Sequence, residues 1–85
     1  MLSKGRSHPR VIVALKRQTK TLFVHGPKGW TTEAERATLY TDRDLAKRSM
    51  EELKATAPAG LRVRVIPHSI LFDMRQLWAL EQANG

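Results

Sequence analysis

The stretch from Thr41 to Ile66 constrains the chain most, because a helix start, a helix face, a helix stop and a following strand can be read from consecutive residues. Thr41 or Asp42 offers a side-chain oxygen to the free amides of a first helical turn, and Asp42 and Asp44 put negative charge at the positive end of the helix dipole. At about 100° per residue, Leu45, Ala46, Ser49, Met50, Leu53 and Ala57 fall within an arc of roughly 140°, one buried stripe on an otherwise charged helix. Ala57, Pro58, Ala59 and Gly60 then supply a proline that cannot continue the helix and a glycine free to turn left-handed. From Leu61 to Ile66 the period is two: Leu61, Val63 and Val65 share one face, Arg62 and Arg64 the other, and Pro67 ends the strand.

Upstream, Val11 to Leu15 is an unbroken apolar run rich in β-branched residues, which predicts a strand covered on both faces and so central in its sheet. Arg17 to Lys20 leads as a hairpin into Thr21 to His25, where Leu22 and Val24 face one way and Thr21, Phe23 and His25 the other. Gly26, Pro27, Lys28 and Gly29 form a turn cluster just before Trp30. Thr32 to Glu35 spells a capping box, predicting a short helical turn through Ala37. Leu39 and Tyr40 either extend that turn or make a short edge strand; the strand is the reading adopted, since Thr41 restarts a helix and leaves room for a βαβ crossover into Leu61 to Ile66. The expected fold is therefore α+β, in the order ββ(β)αβα, with a three- or four-stranded sheet and two main helices. It forms one domain, a folded core over residues 10–85 behind a flexible basic arm over residues 1–9.

With 85 residues the chain can bury only a small core. It has no cysteine, so neither a disulfide framework nor a thiolate zinc site is available, and a cytoplasmic setting is expected. Val11 to Leu15 is too short for a signal-peptide core, and no run approaches the about 18 apolar residues of a membrane span. The net charge of +7 is unevenly placed. Lys4, Arg6, Arg10, Lys16, Arg17, Lys20 and Lys28 lie in the first thirty residues with no acid among them, whereas the rest of the chain balances. Such a field points to an anionic partner or to simple solubility.

The last segment, Ser69 to Asn84, reads as one helix capped by Ser69. Ile70, Leu71, Met74, Leu77 and Trp78 form one face, but Phe72 and Leu80 point elsewhere. A helix apolar on more than one side must be covered on more than one side. A homodimer seam or a protein partner meeting Phe72, Trp78 and Leu80 would cover it; a helix sunk between the sheet and the main helix is the alternative.

No catalytic, cofactor or metal pattern stands out. His8, His25 and His68 lack the short spacing of helical metal ligands, and Gly26 to Gly29 lacks the lysine-serine or lysine-threonine ending of a phosphate loop. A metal-independent ribonuclease would need one of these histidines beside Arg62 and Arg64. The case for nucleic acid is broader: Lys4, Arg6 and Arg10 on the arm, Lys16, Arg17 and Lys20 on the hairpin, Arg62 and Arg64 on one strand face, and Phe23 for base stacking if its face is open. If Phe23 is instead core, the arginines lie over it by their alkyl stems.

Lys20 to Gly26, reading KTLFVHG, resembles the first ribonucleoprotein strand of an RNA-recognition domain, and Ala37 to Ile66 is similar to that fold's later strand, helix and strand. The short spacer between them leaves no room for the intervening helix and strand, and no glycine-aromatic second motif is present, so no RNA-binding residues are carried over. Trp30, Thr31, Ala37, Tyr40 and Ala46, within residues 20–66, follow a pattern that resembles small phage and prophage α+β proteins: tryptophan-threonine, a spacer with alanine, an aromatic, then an amphipathic helix. That resemblance implies a mobile-element setting, in which short basic proteins often bind nucleic acid or inhibit a host machine.

Overall fold

Five consecutive apolar residues at the centre of the sheet explain its architecture. The computed structural model describes residues 9–84, with side chains as far as residue 80. In chain order it holds β1 (Arg10–Lys16), β2 (Thr21–Gly26), β3 (Gly29–Thr31), α1 (Arg43–Leu53), β4 (Arg62–Pro67), α2 (His68–Leu71) and α3 (Met74–Asn84). The strands lie in the order β3-β2-β1-β4, every neighbour antiparallel, and this is the expected α+β fold with a four-stranded sheet. Strand β1 has a strand on each edge and a core on each face, so Val11, Ile12, Val13 and Ala14 are 0 % exposed and Leu15 is 2 % exposed. A run without alternation fits only such a position.

The two faces build two cores. Val11, Val13, Leu15, Val24 and Ile66 face Leu71 of α2 and Leu77 of α3, with Leu22, Ile70 and Trp78 packed around them. Ile12, Ala14 and Val63 look the other way, against Met50 and Leu53 of α1, with Phe23, Trp30 and Tyr40 at their side. Helix α1 starts as expected: the Asp42 carboxylate accepts from the amides of Asp44 at 2.9 Å and Leu45 at 3.2 Å. Ala46 is buried and Met50 and Leu53 pack, but Leu45, expected in the buried stripe, is 48 % exposed. It sits about 100° around the helix from Ala46, on the flank the sheet does not reach. Gly60 takes φ +84°, the left-handed turn its place after Pro58 called for.

Three local expectations change. The third strand is Gly29–Thr31, not Leu39 and Tyr40. Gly29, at φ +113°, folds the Gly26 to Gly29 turn back on itself, so that Trp30 lies opposite His25. Tyr40 makes a single antiparallel bridge to Arg10, with mutual amide-carbonyl bonds of 2.7 and 2.8 Å. The turn after β3 is a 3-10 turn over Ala34–Arg36 and not a capped helix. The Thr31 hydroxyl, not that of Thr32, accepts from the Glu33 amide at 3.1 Å, and the Glu33 carboxylate pairs with Arg36. Gly26 is required here by contact: a Cβ on it would stand 2.4 Å from the Arg36 carbonyl oxygen.

The last helix is broken. Phe72 leaves the helical region at φ −98°, ψ 7°, and Asp73 opens α3 by accepting from the Gln76 amide at 3.1 Å while its carbonyl accepts from Leu77 at 3.0 Å. An aspartate prefers this capping role to a helix interior. Ser69 lies inside α2 and caps nothing, because Pro67 precedes that helix without a side-chain cap. Among the described residues no helix is long and apolar enough to cross a membrane.

Candidate nucleic-acid interface

Strand β4 is an outer strand, and basic residues gather along it from three directions. Its own alternation supplies Arg62, exposed, and Arg64, half-buried. Antiparallel register sets Arg62 opposite Leu15 and Arg64 opposite Val13, which puts both on the α3 side of the sheet. Helix α1 runs back along the other side and brings Arg43, Lys47 and Lys54, spaced to share one flank, toward the same edge. Strand β1 adds Arg10, opposite Pro67 at the far end.

These groups border two open hollows. One, of about 520 Å³, is lined by Lys54, Leu61, Arg62, Val63 and Arg64. The other, of about 410 Å³, is lined by Arg10, Arg43, Lys47 and Val65. Among the described residues neither lining includes a carboxylate. On α1, Asp42 caps the helix and Glu51 accepts from Lys54 at 3.2 Å, an exposed pair of little energetic weight. Lys16 and Arg17, both exposed, follow Leu15, which stands opposite Arg62 in the register, and neither lines the two hollows.

Several expected members fall elsewhere. Phe23 lies opposite Ala14, hence on the α1 side, half-buried in the core with Ile12 and Ala14. It shares neither face nor hollow with Arg62 and Arg64, so a stacking platform flanked by these arginines is not assembled. The connection after α1 closes over that region, with Trp30 Nε1 donating to Thr56 Oγ1 at 3.2 Å. Lys20, at φ 55°, turns its ammonium over the Trp78 ring, 5.1 Å from the centroid. Lys4, Arg6 and His8 lie outside the described residues; Pro9, expected on the arm, accepts a bond from the His68 amide at 2.9 Å.

The three apolar residues expected at a partner surface differ in exposure. Trp78 packs on the core, Leu80 is half-buried, and Phe72, at the α2–α3 break, is 59 % exposed with its ring edge-on to His68 at 5.0 Å. His25 stands edge-on to Trp30 at 5.0 Å, its Nδ1 buried without a hydrogen-bond partner, and burial holds its pKa below the usual histidine value. Neither His25 nor His68 lines the two basic hollows. Among the described residues no cluster of His, Asp or Glu is arranged to hold a metal ion.

The contribution of α1 is what sequence reasoning undervalued. The spacing of Arg43, Lys47 and Lys54 places them on one flank, which more often means solvated surface than a binding stripe, and it is the packing of α1 beside β4 that brings them to the edge holding Arg10, Arg62 and Arg64. No protein-family model matches the chain, and no curated protein or solved structure matches it.

Proposed function

We propose that the protein is a small basic module that binds nucleic acid along β4. The observation that carries the reading is the pair of hollows on that strand, which together are bordered by Arg10, Arg43, Lys47, Lys54, Arg62 and Arg64 and, among the described residues, by no carboxylate. Cations held this way on rigid elements neutralise phosphates and release their counterions, which gives affinity without requiring a preformed pocket. The low-dielectric flank of Leu61, Val63 and Val65 strengthens their field. The basic arm expected over residues 1–9, with Lys4 and Arg6, would add phosphate contacts of the same kind. The resemblance over residues 20–66 to small phage and prophage proteins is compatible with such a role.

Titration of labelled oligonucleotides across a salt series tests the proposal. Log affinity falls with log salt by about 0.9 per neutralised phosphate in B-form DNA, so a slope of several is expected for the wild type. Arg62→Glu with Arg64→Glu lowers that slope by about two and weakens binding, with an unchanged far-UV spectrum. Unchanged affinity in the double variant removes β4 from the interface.

A further inference from the structure

The positions of the aromatic rings decide what form of nucleic acid suits the β4 surface, and this step rests on the reading of that surface as a nucleic-acid interface. Unpaired strands are held by two devices together: cations for the backbone and exposed aromatic faces on which successive bases stack. The β4 surface has the first without the second. Among the described residues neither hollow is lined by an aromatic ring. Phe23, Trp30 and Tyr40 pack around Ile12 and Ala14 in the core beneath α1. Trp78 packs on the opposite core, with the Lys20 ammonium over its ring. Phe72 is open, but it stands past the end of β4 at the α2–α3 break, against His68.

The linings also lack the groups that read bases by paired hydrogen bonds through an amide. Their described members are arginine, lysine, leucine and valine, with no asparagine or glutamine, and the arginines and lysines, which can pair with guanine, are equally phosphate ligands. What remains is positive charge carried by β1, β4 and α1 along one edge of the sheet. Six residues of β4 span about 20 Å at about 3.3 Å each. A double helix presents one phosphate charge per about 1.7 Å of its axis, twice the line density of either strand alone at the same rise, and its backbones are held in place without help from the protein. A surface of cations without stacking faces gains most from that denser, pre-ordered target.

We infer that the β4 surface binds the double-stranded form of nucleic acid, holding it by its phosphates with little regard to base sequence. The probe is a labelled 20-base-pair duplex, compared with each of its separated strands at one salt concentration, in DNA and in RNA, with a second duplex of unrelated sequence. The expected result is that a DNA or RNA duplex binds at least tenfold more tightly than its own strands, and that the two duplex sequences differ by less than threefold. Arg64→Glu with Lys47→Glu weakens duplex binding at least tenfold, whereas Phe72→Ala leaves it unchanged. A single strand bound as tightly as its duplex overturns the inference while leaving a nucleic-acid role in place, as does loss of binding in Phe72→Ala. A strong preference between the two duplex sequences overturns its second half. No binding of any probe at low salt overturns the nucleic-acid reading itself, and the inference with it.

Discussion

His25 is a partly buried ionisable side chain. Its Nδ1 is buried without a partner beside Trp30, and burial disfavours the charged imidazolium, so its pKa falls below the ordinary 6.5. In the unfolded chain the ring takes up a proton near pH 6.5, whereas the folded protein resists protonation until a lower pH. Its contribution to stability is therefore complete above about pH 6.5 and is lost as the pH falls through the folded value. The urea midpoint is expected to decline between pH 7.5 and 5.5, and His25→Phe, which keeps a ring against Trp30 but cannot titrate, removes part of that decline. An identical pH dependence in His25→Phe would show that the imidazole is not responsible.

At the scale of elements, the broken last helix has consequences that a continuous one would not. Asp73 holds the start of α3 through the Gln76 amide, and replacing such a cap by alanine costs about 1 kcal/mol. A continuous helix over Ser69 to Asn84 would place Met74 on the buried face with Leu77. In the structure Leu77 is 0 % exposed and Met74 is 43 % exposed. Leu77→Ala is accordingly expected to cost about 2–5 kcal/mol, as buried leucine truncations do, and Met74→Ala less than about 1 kcal/mol. Urea unfolding of the three variants checks these values. Equal losses at residues 74 and 77, together with no loss in Asp73→Ala, would restore the single helix.

Across the whole molecule, charge differs between the two edges of the sheet. The hollow beside the β2–β3 turn, of about 500 Å³, is bordered by Lys28, Glu33, Glu35 and Arg36, a balanced set, whereas the charged residues described as lining the β4 hollows are all cations. Four strands at about 4.8 Å spacing put the outer strands about 14 Å apart, beyond the Debye length of about 10 Å at 0.1 M salt. Reversing charge at the two edges is therefore expected to act differently. Arg43→Glu with Lys47→Glu, although on a helix, weakens nucleic-acid binding as the Arg62 and Arg64 reversals do, while Lys28→Glu changes affinity by less than about threefold. Salt-series titrations of the three proteins provide the comparison; an equal loss from Lys28→Glu would mean that net charge, and not the β4 edge, governs binding. The same scale separates what was legible in the sequence from what was not. The sequence by itself determined the buried central strand, the Asp42 start of α1, the left-handed turn at Gly60 and the alternation that opposes Arg62 and Arg64 to Val63 and Val65, because each depends on neighbours along the chain. Only the tertiary structure decided that Gly29–Thr31 is the third strand, that Phe23 and the β4 arginines occupy opposite faces of the sheet, and that α1 delivers Arg43, Lys47 and Lys54 to the β4 edge. Alternation shows which residues of one strand share a face, but the register between strands and the docking of a helix are set by contacts between residues far apart in the chain.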